Sequence, residues 1–307
     1  MRPAISIPVH FPDGFDPVAM RRFLARAEEL DFHSAWVGEQ VLGSMPHLGS
    51  AELLSYAAAC TERIRLGVAM LVTSVHTPVH LAKTLSTVDQ LSGGRLDVGV
   101  ALGVRATMFS AFQVDPATRV SRFTEGLRLM RACWTESKID FDGRFWQLSG
   151  AQMEPKPLQK PGPPIWFGGS SPAAVRRAAR LGDAFMGAGS QTSEQFATQV
   201  RVLREALVEE GRDPHTFPIG KRIYVAVDDN PEHARAAVSA GLDRMYRYWG
   251  LVGDTIAPVA VYGTAEQVTE KLREVADAGA DLLLLNPLDD DEVQMERLAA
   301  EVIPALA

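Results

Sequence analysis

The sequence predicts a (β/α)8 barrel, an α/β fold in which eight parallel strands alternate with helices. Two short apolar runs rich in β-branched residues, Ile64–Met70 and Leu96–Val100, flank a helical segment whose apolar positions recur at intervals of three and four. A strand–helix–strand unit of this kind joins two parallel neighbouring strands. The same alternation continues along the 307 residues, and a (β/α)8 barrel typically takes about 250 residues.

Eight segments are predicted to be strands, because each is a short apolar run bounded by turn-forming residues. They are Ala4–Val9, Ser34–Val37, Ile64–Met70, Leu96–Val100, Ile165–Gly168, Asp183–Met186, Ile219–Val227 and Asp281–Leu285. Helical periodicity predicts the helices Pro17–Leu30, Ser50–Cys60, Pro78–Leu91, Val120–Thr135, Pro172–Leu181, Ser193–Glu210, Pro231–Trp249, Thr264–Ala278 and Asp289–Leu298. Several of these helices begin with proline, whose missing N–H is no loss in the first turn. An open, doubly wound sheet is the alternative, but it usually has fewer strands.

One segment, residues 137–164, interrupts the alternation. Asp142 and Gly143 stand between two runs of alternating polarity, which predicts a β-hairpin, and a proline-rich return follows. We expect residues 1–307 to form a single barrel domain with this segment inserted into it. No internal repeat or low-complexity linker in the sequence suggests a domain boundary.

The composition disfavours several classes of partner. The net charge of −7 gives no overall electrostatic support to a nucleic-acid or anionic-membrane partner. The two cysteines, Cys60 and Cys133, lie in apolar helical contexts without a CxxC spacing, so we expect a reduced, cytoplasmic protein. No apolar stretch approaches the ~18 residues of a membrane span, and the first residues lack a signal-peptide pattern. Without an HExxH motif or a cluster at ligand spacing, we expect no metal.

The clearest binding signal is the glycine-containing turn at Gly168–Ser171. Its two glycines permit close approach of the backbone to a ligand, and Ser171 is a predicted N-cap of the helix that starts at Pro172. The N-terminus of a helix attracts phosphate through its free N–H groups and its dipole. An ordinary strand–helix loop of a barrel is the alternative. A second loop, Gly187–Ser190, is only a weak dinucleotide pattern and is expected to form another wall of the same pocket.

Polar side chains follow the first three predicted strands. His10 and His76 follow strands one and three, and Glu39 and Gln40 follow strand two. Barrel active sites lie at this carboxyl end of the strands. A lone glutamate at this position is either catalytic or the partner of a loop salt bridge. Since no GxSxG motif is present either, the sequence predicts a pocket without an obvious acid–base pair.

Three long runs resemble the bacterial luciferase-like family of flavin- and deazaflavin-dependent oxidoreductases. They are RIRLGVAMLV, HTPVHLAKTLSTVDQLSGGRLDVGVALG and PKPLQKPGPPIWFGGSSPAAVRRAARLGDAF. The resemblance extends from Ile5 to about Leu285 and implies a (β/α)8 barrel with the cofactor ring at its carboxyl face. Many members of the family are dimers, so a homodimer is expected. The chain resembles the branch of the family that uses coenzyme F420.

The resemblance also implies roles for particular positions. The cofactor phosphate site corresponds to Gly168, Gly169, Ser170 and Ser171. A non-proline cis peptide behind the ring, after the third strand, corresponds to Ala69–Met70. The loop that lines the ring and the ribityl chain after strand four corresponds to residues 101–105, which include Gly103 and Val104.

The chain departs from the deazaflavin-dependent sugar-phosphate dehydrogenases that it resembles. These enzymes carry an Asp-His pair where this chain has Glu39 and Gln40, and a tryptophan where it has Ser44. They carry a glutamate where this chain has Val104. Glutamine is not a general base near neutral pH. The resemblance therefore favours hydride transfer to an activated C=C or C=O group over a reaction of the glucose-6-phosphate type.

Three functions remain open at this point. The first is transfer of a hydride between F420 and a small, fairly apolar substrate, with Glu39, Gln40, His10 and His76 as candidate catalytic residues and solvent or a tyrosine as proton source. The second is an FMN-dependent monooxygenase, and the third is a non-catalytic paralogue that only binds a cofactor. The lactyl-oligoglutamate tail of F420 favours basic residues at the rim, for which the candidates are Arg105, Arg119, Arg122, Lys156 and Lys160.

Overall fold

Eight parallel strands close into a barrel in the computed structural model of the chain. The structure describes residues 1–9, 11, 14–43, 45–103, 106–246 and 257–306. Its strands in chain order are β1 (Arg2–Ser6), β2 (Ser34–Val37), β3 (Arg65–Val72), β4 (Leu96–Ala101), β5 (Ile139–Asp142), β6 (Gln147–Ala151), β7 (Ile165–Gly168), β8 (Ala184–Gly187), β9 (Ile219–Val227), β10 (Val261–Gly263) and β11 (Leu282–Pro287).

Helices follow most of the barrel strands. Over the described residues they are α1 (Pro17–Glu29), α2 (Ser50–Cys60), α3 (Pro78–Leu91), α4 (Ala106–Ala111), α5 (Arg119–Thr135), α6 (Pro172–Leu181), α7 (Ser193–Glu209), α8 (Pro231–Tyr246), α9 (Ala265–Asp277) and α10 (Asp291–Arg297). Proline occupies the first turn of α1, α3 and α6. Among these helices, none combines the length and the apolar character that crossing a bilayer requires.

The pairing of the strands confirms the predicted barrel and excludes the open sheet. The order around the ring is β1, β2, β3, β4, β7, β8, β9 and β11. β11 pairs in parallel with β1, and β8 pairs in parallel with β9, so the sheet has no free edge within the ring. The short strand β10, which the sequence did not predict, pairs with β9 outside the ring.

Two tryptophans fill the barrel interior below its carboxyl end. The rings of Trp36 and Trp166 meet edge to face, with centroids 5.4 Å apart. The indole of Trp166 donates to Asp97, which also accepts a 2.7 Å hydrogen bond from Arg65. Gly67 gives Trp36 its space, since a Cβ atom there would lie 2.3 Å from the indole ring. The lower half of the barrel is therefore packed, and a ligand can enter only from the carboxyl ends of the strands.

The insertion is the predicted hairpin. β5 and β6 pair antiparallel, and Glu125 of α5 accepts hydrogen bonds from the backbone N–H groups of Arg144, Phe145 and Trp146 at the hairpin tip. The proline-rich return runs along the amino end of the barrel, where Gln159 donates to the carbonyl of Leu96, the first residue of β4. That residues 1–307 form a single domain stays a prediction.

The structure differs from the sequence-based elements in two further places. Helix α4 was not predicted. The long helix expected over Pro231–Trp249 is described only as far as Tyr246, because residues 247–256 lie outside the described part of the chain. The remaining boundaries agree with the prediction to within a few residues.

Candidate active site

A cavity of about 400 Å³ opens at the carboxyl ends of the strands. Residues of β1, β2, β3, β9 and β11, together with the loops that follow β2 and β4, line it. A volume of this size is typical of sites for small molecules and cofactors. Its position is the end of the barrel at which catalytic residues of this fold are found.

The structure brings five of the predicted site residues to this cavity. Glu39, Gln40, Ala69, Met70 and Gly103 all line it. Gly103 has a φ of +72°, a conformation that glycine adopts without strain. His76 is close by but is not a lining residue, and the predictions for His10 and Val104 concern residues outside the described ranges.

Glu39 and His76 form a pair that joins the ends of two strands. One carboxylate oxygen of Glu39 lies 2.7 Å from Nε2 of His76, and the other accepts a 2.7 Å hydrogen bond from the backbone N–H of Val72. The Glu39 side chain is 6% exposed. Its carboxylate is thus engaged on both oxygens, which is the geometry of a group that holds the end of β3 in place.

The expected cis peptide is present between Ala69 and Met70. The pairing of β3 with β4 shifts register between Val68 and Leu71, so the backbone bulges at this point. Both residues of the bulge contribute to the cavity wall. The prediction of a cis bond at this position is confirmed.

The side chain of Met70 extends from the cavity towards β7. A Cβ atom at Gly168 would lie 2.8 Å from its Cγ, and one at Gly99 would lie 2.5 Å from its sulfur. Gly99 and Gly168 therefore leave the space that Met70 occupies. This side chain is the link between the cavity and the loop after β7.

The loop Gly168–Ser171 does not line the cavity itself but adjoins it through Met70. Ser171 is the N-cap of α6, and its hydroxyl accepts a 3.3 Å hydrogen bond from the N–H of Ala174. Ser170 and Ser171 are exposed to solvent. The loop is therefore an accessible helix N-terminus, as predicted, beside the cavity.

The side chain of Gln199 links the two glycine-containing loops. The amide nitrogen of Gln199, on α7, donates to the carbonyl of Ser170 at 3.1 Å and to the side chain of Gln191. Among the described residues, the buried amide oxygen of Gln199 has no hydrogen-bond partner. The loop that begins at Gly187 thus lies against the loop after β7.

Lys221, on β9, holds the loop after β8 from the other side. Its ammonium donates to the carbonyls of Ala188 and Gln191, the latter at 3.0 Å. Burial, with a smaller contribution from Arg222, lowers the pKa of Lys221 from 10.5 to about 7. An amine with this pKa is close to losing its charge at neutral pH.

A polar wall faces the cavity from β9 and β11. Arg222 donates through Nε at 2.8 Å to the side-chain oxygen of Asn286, and a second donor of the guanidinium reaches the same oxygen. Tyr224 and Tyr246 join their hydroxyls at 2.5 Å. Burial raises the pKa of Tyr246 above its usual range, so its hydroxyl stays protonated. Sequence reasoning missed this wall, although the alternation of side chains along β9 was a signal for inward-facing Arg222 and Tyr224.

His47, on the loop between β2 and α2, was also missed. It lines the main cavity and an adjoining cavity of about 380 Å³. Its Nδ1 lies 3.3 Å from the carbonyl of Leu48. Burial is the largest cause that lowers the pKa of His47, and the hydrogen bond to the Leu48 carbonyl opposes it. Arg222 adds to the decrease, and Glu39 opposes it.

The basic residues proposed for the rim are distributed differently from the expectation. Lys156 binds the carbonyls of Cys133 and Glu136 at the end of α5, and Lys160 binds that of Pro157 in the proline-rich return. Both lie at the amino end of the barrel, so the prediction that they serve the cofactor tail is wrong. Arg122, in the first turns of α5, stacks on Trp146. Arg105 lies outside the described residues.

Among the described residues, no group of three or more His, Cys, Asp or Glu side chains gathers as a metal site would require. The charged groups at the cavity are instead Arg222 and Glu39. Within the described part of the chain, no carboxylate lies within 4.0 Å of the Arg222 guanidinium, whose partner is the neutral amide of Asn286. The cavity wall therefore presents a positive charge to a ligand.

A family model described as luciferase-like monooxygenase matches residues 3–282. The FMNH(2)-dependent dimethylsulfone monooxygenase of Pseudomonas putida is 33% identical over 184 residues, which cover 59% of this chain and 49% of that protein. The sulfoquinovose monooxygenase of Agrobacterium fabrum is 29% identical over 82% of this chain and 63% of its own length. The F420-dependent glucose-6-phosphate dehydrogenase of Intrasporangium calvum is 24% identical over 95% of this chain and 96% of its own length. The chain thus spans less than two thirds of the two monooxygenases.

Solved structures share the whole fold. The monooxygenase RslO1 from Streptomyces bottropensis superposes with a TM-score of 0.86 and 24% identity over 100% of both chains. An F420-dependent secondary alcohol dehydrogenase in complex with an F420-acetone adduct superposes with a TM-score of 0.86 and 20% identity, over 100% of this chain and 99% of that chain. At these identities the likeness is evidence for the (β/α)8 barrel alone.

Proposed function

Because the chain belongs to the luciferase-like monooxygenase family, we propose that it binds coenzyme F420 at the barrel mouth and transfers a hydride between the deazaflavin and a small organic substrate. The observation that carries the proposal is the continuity of one surface. It runs from the cavity over the bulge at Ala69–Met70, and through the Met70 side chain to the helix N-terminus at Gly168–Ser171. A flat ring joined by a chain to a phosphate matches such a surface.

The residues present fit a cofactor of this kind. The backbone bulge at Ala69–Met70 and Gly103 form part of the cavity wall. Ala69 and Gly103 have small side chains or none, so a flat ring can approach the backbone there. Gly168 and Ser171 begin an accessible helix end, where free N–H groups attract phosphate. We assign the ring to the wall formed by Ala69–Met70 and Gly103, and the phosphate to the loop Gly168–Ser171. When bound, the cofactor supplies or accepts the two electrons and the hydrogen that a hydride carries.

The polar wall gives the substrate its orientation. Arg222 is held by Asn286 so that its guanidinium remains in the cavity, and it attracts an oxygen atom or an anionic group of the substrate. Tyr224 and Tyr246 share one hydrogen bond between their hydroxyls, so one hydroxyl proton of the pair remains to be donated to the substrate. Val41 and Met45 provide apolar surface on the opposite loop. A small, partly apolar molecule with one polar end suits this arrangement.

FMN-dependent oxygenation is the second candidate. It is supported by the 33% identity to the FMNH(2)-dependent monooxygenase, which exceeds the identity to the F420-dependent dehydrogenases. Lys156 and Lys160 lie at the amino end of the barrel and do not contact the cofactor tail, so two of the basic residues that favoured F420 no longer support it. Cavity-facing Arg222 and His47 argue against the third candidate, a paralogue without catalytic activity. A homodimer in the cytoplasm remains part of the proposal.

The test is an anaerobic equilibrium titration of the purified protein with F420 and with FMN, each oxidised and reduced. Tight binding of F420 with weak binding of FMN supports hydride transfer and directs a substrate screen to alcohols, carbonyl compounds and activated alkenes. A preference for reduced FMN supports the oxygenase instead, and oxygen consumption with candidate substrates then follows. If neither cofactor binds with a Kd below roughly 1 mM, which corresponds to a binding free energy of about −4 kcal/mol, the proposal is contradicted.

A further inference from the structure

His47 occupies a position that the proposed function leaves without a role. Its imidazole lies where the main cavity meets the adjoining cavity, on the loop between β2 and α2. We propose that His47 is the proton acceptor of the site, with its proton on Nδ1 and the lone pair of Nε2 presented to a hydroxyl group of the substrate. This inference rests on the proposed function, because it assigns the proton that accompanies the hydride.

The hydrogen bond of His47 determines which nitrogen carries the proton. Nδ1 lies 3.3 Å from the backbone carbonyl of Leu48, and a carbonyl oxygen only accepts hydrogen bonds. Nδ1 must therefore be the donor. In a neutral imidazole the other nitrogen, Nε2, is then an unprotonated acceptor.

Nε2 of His47 lies near the end of β2, on the side of the backbone bulge. A Cβ atom placed on Gly38 would lie 4.0 Å from Nε2 of His47 and 3.7 Å from the carbonyl oxygen of Ala69. The free nitrogen and the bulge at Ala69–Met70 thus face the same small region at the end of β2. This is the region to which we assign the cofactor ring, so a substrate lying against the ring would be within reach of Nε2.

Burial is the largest cause that lowers the pKa of His47 and so favours the neutral imidazole. The hydrogen bond to the Leu48 carbonyl opposes this decrease, and the positive charge of Arg222 from β9 adds to it. Glu39 at the end of β2 has the opposite effect, but its carboxylate is occupied by His76 and Val72. The hydroxyls of Tyr224 and Tyr246 line the same cavity. The lowered pKa therefore favours the neutral form of His47, whose Nε2 is free to accept a proton.

The step balances in the oxidative direction. A substrate alcohol gives its hydroxyl proton to Nε2 of His47, and its carbon gives a hydride, with two electrons, to the oxidised cofactor. The C–H and O–H bonds break, a C=O double bond forms, and His47 becomes an imidazolium. In the reductive direction the imidazolium returns the proton to the oxygen. Glu39 and His76, which are bonded to each other, are not free to do this.

The test is NMR of the protein labelled with ¹⁵N-histidine, recorded first without cofactor. The His47→Gln variant assigns the resonances. We expect His47 to be protonated on Nδ1 at pH 7.5 and to titrate with a midpoint below 6.5. Protonation on Nε2, or a midpoint at or above 6.5, would overturn the inference. This measurement does not depend on any substrate or cofactor.

A second measurement adds F420, or FMN if it is the cofactor that binds. His33 is the matched control, because burial also lowers its pKa but it precedes β2 at the opposite end of the barrel. We expect the Nε2 resonance of His47 to move on cofactor binding and the resonances of His33 to stay. If cofactor binds and His47 does not respond, the inference fails while the proposed function stands. If neither cofactor binds, the proposed function fails, and the role of His47 in it fails with it.

Discussion

Met70 and Gly168 are in direct contact, although they belong to β3 and β7: a Cβ atom on Gly168 would lie 2.8 Å from Cγ of Met70. Met70 is part of the cavity wall, and Gly168 begins the loop that leads to the N-terminus of α6. The contact therefore joins the surface assigned to the cofactor ring to the surface assigned to its phosphate. It makes the assignment testable by changes at either residue.

Gly168→Ala should weaken cofactor binding at least tenfold. The added methyl group cannot be accommodated unless Met70 moves, which displaces the cavity wall to which we assign the ring. A loss of about 1.4 kcal/mol in binding is tenfold in Kd. The measurement is a fluorescence titration with F420 and FMN, compared between the variant and the wild type.

Gly126→Ala, in α5, is the control, since a Cβ atom there would meet its neighbours at 3.6 Å or more. Its affinity should match that of the wild type. Adding Met70→Ala to Gly168→Ala should recover part of the lost affinity, because it removes the atoms with which the new methyl group collides. If Gly168→Ala binds cofactor as the wild type does, the surface does not connect the two assigned regions.

Glu39→Ala should destabilise the fold. It leaves the backbone N–H of Val72 without its acceptor and removes the partner of His76. Loss of a buried partner costs about 1–3 kcal/mol in the free energy of unfolding. Urea denaturation measures this, with Glu62→Ala as the control, because Glu62 is exposed and should change stability by less than about 0.5 kcal/mol. Equal stability of both variants would show that Glu39 has no structural role and would return it to the catalytic candidates.

The sequence predicts the barrel well because its signals are local. The helices Ser50–Cys60 and Pro78–Leu91 follow from the periodicity of their own segments, and Pro78 begins the second; their observed bounds match the prediction. Helix α4 was not predicted, because its six residues are too few to show a periodic pattern. The hairpin was predictable from Asp142 and Gly143: Asp142 is the last residue of β5, where it pairs with Gln147, and Gly143 begins the turn.

The candidate site was predictable only where a single segment carried the signal. The loop Gly168–Ser171 and the pair Glu39–Gln40 follow predicted strands, so their placement near the barrel mouth followed from the fold. Arg222 and Asn286 are 64 residues apart in the sequence, so no local pattern predicts their hydrogen bond. His47 stands on a loop whose path depends on the tertiary structure. Such contacts become visible only when the strands are arranged around the barrel.

The stability of the wild type should rise with pH between about 7 and 10.5 through Lys221. Burial lowers the pKa of this amine to about 7 in the folded protein, against 10.5 in the unfolded chain. In this window the unfolded chain binds more protons, so the free energy of unfolding increases with pH. Below pH 7 the amine is charged in both states, and the cost of burying that charge is then largest.

Lys221→Met lacks this titration. The free energy of unfolding of the wild type minus that of Lys221→Met should therefore increase by about 1–3 kcal/mol from pH 7 to pH 9, since one pKa unit corresponds to about 1.4 kcal/mol. Urea denaturation at several pH values measures it. Lys271→Met is the control, because Lys271 is exposed, pairs with Glu274 and has a raised pKa. A difference that stays flat with pH would mean that Lys221 keeps its charge when folded.

Glu125→Ala should loosen the hairpin tip without affecting the cavity. Glu125 is 5% exposed and accepts the N–H groups of Arg144, Phe145 and Trp146. Hydrogen exchange at these three amides should accelerate, and the free energy of unfolding should fall by about 1–3 kcal/mol. Cofactor affinity should not change. Unaltered exchange at the tip would contradict the role of Glu125 as its anchor.

The most direct test of the phosphate assignment compares each cofactor with its form that lacks the phosphate. FMN and riboflavin differ by the phosphate alone, whereas F420 loses its lactyl-oligoglutamate tail together with the phosphate. The affinities of the wild type for FMN and riboflavin, and for F420 and the corresponding phosphate-free ribityl deazaflavin, are measured by anaerobic fluorescence titration. If the ring lies at Ala69–Met70 and the phosphate at Gly168–Ser171, the phosphorylated member of the preferred pair binds at least tenfold more tightly. Equal affinity within the pair would contradict the assignment of the phosphate to the N-terminus of α6.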